Sequence, residues 1–166
     1  MEYQFETTQV YNRKMHLEFN YRVWCRPALI WGLVSLLLLA CYVRMAQDDP
    51  YWWVGVVAFA GLAVHYFTWP YRLERKRFKR VMNYYDGSMP VSYIRFGDKI
   101  SVKDGDSVTG LEYRKIEKVI ILKHGLFLRY AKKSYLGIDP REFTVGTYEE
   151  FKRFLREKCP NAKIPN

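Results

Sequence analysis

Residues 50–80 read PYWWVGVVAFAGLAVHYFTWPYRLERKRFKR. The twenty-two residues from Pro50 to Tyr71 contain no Asp, Glu, Lys or Arg, and the nine that follow hold six bases and one acid. As a helix, the uncharged part is about 33 Å long, enough to cross a hydrocarbon layer of about 30 Å with modest tilt. Lys and Arg beside a spanning helix stay in the cytoplasm, so the run Arg72 to Arg80 orients everything after it.

Upstream lies a second uncharged stretch of seventeen residues, Pro27 to Val43, bounded by Arg26 and Arg44. At about 25 Å it is slightly short for a span, so both arginines must snorkel. Aromatic residues gather at the ends of both stretches: Trp24, Trp31 and Tyr42 on the first, and Tyr51, Trp52, Trp53, Tyr66, Trp69 and Tyr71 on the second. This is the interfacial belt of membrane helices. The connector Arg44 to Pro50 is short and slightly acidic, whereas Arg13, Lys14, Arg22 and Arg26 precede the first stretch. The expectation is a hairpin that crosses the cell's inner (plasma) membrane twice, with both termini cytoplasmic. The competing reading, a helical hairpin in a soluble core, needs more apolar surface than the rest of the chain supplies.

His65 is the only ionisable side chain inside either stretch, and such residues default to a functional role. Its closeness to Arg72 equally suits an interfacial one. Gly55, Ala58, Gly61 and Ala63 would let helices approach closely, within the hairpin or between copies in a homo-oligomer. Leu38-Leu39-Ala40-Cys41 has the form of a lipoprotein cleavage box, but a charged lead of 26 residues and an immediate second span argue for an ordinary apolar Cys41.

The net charge of +10 is one-sided. Residues 72–166 hold 22 Lys and Arg against 12 Asp and Glu, whereas residues 1–71 hold five of each. The densest cluster is juxtamembrane, where each base near anionic lipid contributes about 1 kcal/mol. This favours lipid head groups over nucleic acid as the anionic partner. The three cysteines, Cys25, Cys41 and Cys159, have no disulfide or metal-ligand spacing.

After Tyr71 the helix should continue, because Phe78, Val81, Met82 and Tyr85 form an apolar stripe, and it should break at Asp86-Gly87-Ser88-Met89-Pro90. From Val91 to Thr144 the pattern turns to short strands. Gly97-Asp98, Asp104-Gly105 and His124-Gly125 each read as a two-residue hairpin loop. Ile100 and Val102 alternate with Lys99, Ser101 and Lys103, and Leu126, Leu128 and Tyr130 alternate with Phe127 and Arg129. Such alternation predicts sheets with one wet face. The wholly apolar Val119 to Leu122 should be the most central strand. Thr147-Tyr148-Glu149-Glu150 announces a closing helix with a capping box, an inner face of Tyr148, Phe151, Phe154, Leu155 and Cys159, and a stop at Pro160. At the other end, Tyr3 and Phe5 predict a short strand that joins this sheet, and Thr8 to Trp24 a lead-in helix.

The organisation expected is therefore a strand and lead-in helix over 1–26, a transmembrane hairpin over 27–71, a basic juxtamembrane helix and linker over 72–90, and a cytoplasmic β domain with its closing helix over 91–166. The class is an α+β membrane protein. This order of elements resembles the bacterial YcxB-like proteins. The matching residues are Tyr113-Arg114-Lys115-Ile116, the Val119 to Tyr130 hairpin and Ile138-Asp139-Pro140-Arg141-Glu142-Phe143, with an extra Asp139 and a tyrosine at 113 in place of the commoner tryptophan. The resemblance implies a β domain similar to pleckstrin-homology modules, a small sheet closed by one helix. It brings no activity and no catalytic residues.

Enzyme motifs are missing: the chain contains no P-loop, GxGxxG, GxSxG or HExxH. His16, His65 and His124 fall in a lead-in helix, a membrane helix and a tight turn. Asp104-Gly105-Asp106 lacks the glycine and the bidentate acid of a calcium loop, with Thr109 and Lys115 in their places. Asp48 and Asp49 cap and solvate the connector. No cofactor is implied, and a non-enzymatic protein is expected. Two binding sites are arguable. Arg72, Arg75, Lys76, Arg77, Lys79 and Arg80 either hold anionic lipid head groups or only set topology, and Lys132, Lys133 and Tyr135 lie in a loop on the β domain. The leading expectation is a membrane-anchored adaptor or regulatory protein whose β domain binds a protein or lipid partner. The alternative is an accessory subunit of a membrane transporter or enzyme complex, docking through the hairpin. A soluble fragment from about Pro90 should capture the partner under the first alone.

Overall fold

The computed structural model describes residues 4–88, 91–132 and 134–165, and the chain forms two compact units, His16–Arg80 and Met1–Met15 with Val81–Asn166. The first is helical. The chain enters it through the second half of α1 (Arg13–Phe19) and a π-helical turn, Asn20–Trp24. It contains α2 (Arg26–Met45), a tight 3-10 turn at Pro50–Trp52, and most of α3 (Trp53–Tyr84). Pro27 sits in the first turn of α2, where its missing N–H costs nothing. Asp49 accepts from the Tyr51 N–H at 3.0 Å and so caps the turn into α3. Both α2 and α3 are long and apolar enough to cross a membrane.

Their packing runs inside out relative to a water-soluble hairpin. In α2 only Gly32 and Ser35 are buried, and in α3 only Ala63, Pro70 and Glu74. Large apolar side chains face outward instead: Leu37 is 70% exposed, Val54 73% and Val57 72%. The two helices meet through small residues. A Cβ on Gly55 would lie 2.0 Å from the Tyr42 ring, and one on Gly32 would crowd Phe67 at 3.2 Å. The four small residues singled out on α3 thus divide. Gly55 and Ala63 face into the unit, whereas Ala58 and Gly61 are exposed.

The second unit is built from two antiparallel sheets and α4 (Tyr148–Lys158). The five-stranded sheet runs β4 (Ser107–Leu111), β3 (Ile100–Asp104), β2 (Val91–Phe96), β1 (Phe5–Val10), β8 (Phe143–Val145). The smaller one runs β5 (Lys118–Ile121), β6 (Leu126–Ala131), β7 (Ser134–Ile138). Both sheets and α4 contribute to one core, in which Phe96, Ile100, Leu126, Leu128, Ile138 and Phe151 are fully buried. The Phe151 ring centre lies 5.5 Å from Phe5, 4.5 Å from Phe96 and 5.1 Å from Phe143. Truncating it to Ala would cost about 3–5 kcal/mol. The closing helix has the full capping box expected of Thr147 and Glu150.

Four expectations need correction. The N-terminal strand runs to Val10, so the lead-in helix starts at Arg13 and not at Thr8. Gln9 lies inside the expected helix, yet it and Thr7 are both buried and hydrogen-bonded to each other at 3.2 Å. Strand β5 is an edge, not the centre, of its sheet, with β6 in the middle. Its outer side is covered by Lys163, which exchanges backbone hydrogen bonds with Glu117 and Val119 at 3.2 and 3.0 Å. On β6, Phe127 is buried along with Leu126 and Leu128, so this strand has no wet face there. Met15 closes that side, since a Cβ on Gly125 would lie 2.2 Å from its sulfur. The hairpin loops are also uneven. Gly105-Asp106 is a two-residue turn, but β2 to β3 takes Gly97 to Lys99 and β5 to β6 takes Leu122 to Gly125.

The helix break falls where expected, with Asp86 and Gly87 at positive φ of 48° and 82° after Tyr84; Tyr3, Met89, Pro90 and Lys133 lie outside the described residues. Strand β1 pairs with β2 along its whole length and with β8 on its other side. A fragment starting near Pro90 would therefore lack an internal strand of the larger sheet.

Candidate functional site

The six bases Arg72, Arg75, Lys76, Arg77, Lys79 and Arg80 are all exposed along the last turns of α3. The one acid among them, Glu74, is fully buried. At 100° per residue, Ala63, Pro70 and Glu74 fall on one side of the helix and His65, Trp69, Arg72 and Lys76 on the other. Sequence reading counted Glu74 only as partial neutralisation of the run.

On the exposed side the residues touch in order. The His65 and Trp69 rings are 5.3 Å apart, and an Arg72 Nη1 lies 3.3 Å from His65 Nδ1. Trp69, Arg72, Leu73 and Lys76 line a niche of about 50 Å³. Arg72 and Lys76 enter no ion pair among the described residues. Arg77, by contrast, lies close enough to His16 to act on it. Burial first, and the Arg77 charge second, hold the His16 imidazole down to about 4, so it is neutral at physiological pH.

The other polar centre lies where the chain leaves the β unit. Asp139 is 2% exposed and accepts from Asn12 Nδ2 at 2.6 Å, from the Arg141 backbone N–H at 3.1 Å, and from Arg141 Nε and Nη2 at 3.0 and 2.7 Å. Its own N–H donates to Gln9 Oε1 at 3.2 Å. Asn12 Oδ1 in turn accepts from the N–H groups of Lys14 and Met15 at 3.0 and 3.2 Å, capping α1. Burial alone would raise the Asp139 pKa. The Arg141 side chain and N–H, with Asn12, outweigh it and hold the carboxyl below its usual range. The Asp139 carboxyl and N–H, the Asn12 amide and the Gln9 side chain are all paired within the unit, which makes this an organising network.

Tyr113 and Ile116 are buried core residues, and the Tyr113 hydroxyl donates to the Gly97 carbonyl at 3.0 Å. Lys132 is exposed beyond β6, and Tyr135 lies partly buried in β7. The outer face of the larger sheet carries exposed apolar side chains, with Val10 opposite Val91, and Tyr93 and Val108 both facing Lys103. Cys25 and Cys159 are buried, and Cys41 is an exposed residue of α2. Among the described residues no group of three or more His, Cys, Asp or Glu is placed to hold a metal ion. Comparison with family models, with curated proteins and with solved structures finds no match to this chain.

Proposed function

We propose that this chain is a non-enzymatic, membrane-anchored adaptor or regulatory protein of the bacterial inner membrane. In this reading α2 and the first part of α3 cross the bilayer, both termini stay in the cytoplasm, and the six bases of α3 meet anionic head groups at the inner leaflet. The β unit then binds a protein or lipid partner. The observation that carries the proposal is the inverted burial of the helical unit, with Gly32, Ser35, Ala63 and Glu74 inside and Leu37, Val54 and Val57 outside. Exposed apolar area of this extent marks a membrane or partner surface. At 32 residues and about 48 Å, α3 is longer than a bilayer core, so its basic end extends into the head-group layer and beyond. A family tie to the YcxB-like proteins, with a pleckstrin-homology-like binding module, belongs to the same proposal. Two antiparallel sheets and a capped closing helix are consistent with it.

The outward position of Ala58 and Gly61 favours one second reading, an accessory subunit that docks on a transporter or enzyme complex, or on another copy, through the hairpin. Photo-crosslinkers at Tyr93 or Val108 and at Val57 or Gly61, in the full chain in native membranes, separate the two. Adducts from the sheet positions alone support the adaptor, and adducts from the helix positions alone support the subunit. Recovery of the full chain as a monodisperse species without detergent would refute both.

A further inference from the structure

The exposed stripe of α3 is more than a spread of positive charge, and the geometry points to one phosphate site on it. The Arg72 and Lys76 cations clamp the phosphate of an anionic glycerophospholipid, with Trp69 and Leu73 against its glycerol backbone and upper acyl chain. This deepens the membrane reading above and rests on it.

Three features single out this place within the run. First, Arg72 and Lys76 are four residues apart, on successive turns of one helix side, and open onto the same niche of about 50 Å³. A guanidinium fork and an ammonium point charge are complementary ways to hold one phosphate. Second, the wall below the cations is apolar and aromatic. Trp69 is 43% exposed yet fixed by its contact with the His65 ring, which also receives the Arg72 side chain. From His65 to Lys76 the stripe rises about 16 Å, enough to reach from the upper acyl chains through a head-group layer of about 5–8 Å. Third, the only acid of the run, Glu74, points to the opposite side, and among the described residues no carboxylate pairs with either of the two cations. A zwitterionic head group would bring its ammonium to the same pair of cations, so the site selects an anionic lipid. Arg75 and Lys79 do not line this niche and serve as the natural comparison.

The test uses the full chain in neutral detergent, with phosphatidylglycerol and phosphatidylcholine as probes and native mass spectrometry as the readout. Arg72→Gln with Lys76→Gln should weaken phosphatidylglycerol retention by roughly tenfold or more, whereas Arg75→Gln with Lys79→Gln, which removes the same charge, should change it by less than about threefold. All four positions are exposed, so an unchanged melting temperature shows that the variants fold. Equal losses in the two pairs would overturn the site and leave only diffuse attraction, with the membrane reading intact. Displacement of the lipid by equimolar inorganic phosphate would also overturn it, as a plain anion site. Equal retention of the two lipids by the unaltered chain would overturn the selectivity on which it stands. The membrane reading fails by a separate result, solubility without detergent.

Discussion

Replacing Asp139 by Ala should loosen the point at which the chain passes from the β unit into α1, and the cost can be worked from its partners. Two groups lose a short acceptor inside the unit, the Asn12 amide at 2.6 Å and the Arg141 N–H at 3.1 Å. At about 1–1.5 kcal/mol each they account for about 2–3 kcal/mol. The Arg141 guanidinium also loses its partner, but its side chain is 71% exposed and rehydrates, adding little. The total is about 2–3 kcal/mol. Asp139→Asn keeps the shape and one oxygen and should cost about half as much, while Arg141→Ala, at an exposed side chain, should cost the least of the three. The order of the three variants is therefore the signature. Hydrogen exchange of the full chain in detergent reads both the global opening of the β unit and the local release of the Lys14 and Met15 amides once Asn12 is no longer held. The Asp139 carboxyl is held below its usual range, so its contribution is present at neutral pH and is lost as pH falls through that lowered value. A cost below about 0.5 kcal/mol for Asp139→Ala, or a larger one for Arg141→Ala, would refute the reasoning.

Three further outcomes follow from the packing. Gly55→Leu should splay the helical hairpin, because its first carbon already meets Tyr42 at 2.0 Å, whereas Gly61→Leu enters open space; the distance between spin labels at Leu38 and Phe59 should change for the first alone. The neutral His16 should make the helical unit less stable as pH drops from about 6.5 towards 4, by about 2 kcal/mol at pH 5, and His16→Gln should flatten that slope in pH-dependent thermal unfolding. Thr147→Ala removes the acceptor of the Glu150 N–H and should cost about 1 kcal/mol in β-unit stability by hydrogen exchange, with Thr147→Ser largely restoring it.

Helices α2, α3 and α4 were legible because each is announced by a strong local signal, a long uncharged run for the first two and a capping box for the third. The N-terminal strand was legible in its place but not in its length, since Thr7 and Gln9 are buried through hydrogen bonds that link distant parts of the chain. Periodicity cannot report such partners. For the same reason the apolar Val119 to Leu122 looked central. It is an edge strand whose open side is covered by Lys163, some forty residues later in the chain. Asp139 stood out in the sequence only as a departure from a family pattern, and it proves to be the hub that joins Gln9, Asn12 and Arg141. Of the candidate site, composition showed the six bases but not which of them share a niche. That distinction depends on the helix side occupied by Glu74, which only packing decides.

The central claim is a chain that crosses the inner membrane twice and keeps its β unit in the cytoplasm. It is tested most directly by labelling intact cells with a membrane-impermeant maleimide, after the three native cysteines are replaced by serine or alanine and one new cysteine is placed at Gln47 or at Val108. Labelling of Gln47→Cys in intact cells, with Val108→Cys labelled only after lysis, is the result expected. Labelling of Val108→Cys from outside, or of neither position before lysis, would contradict it.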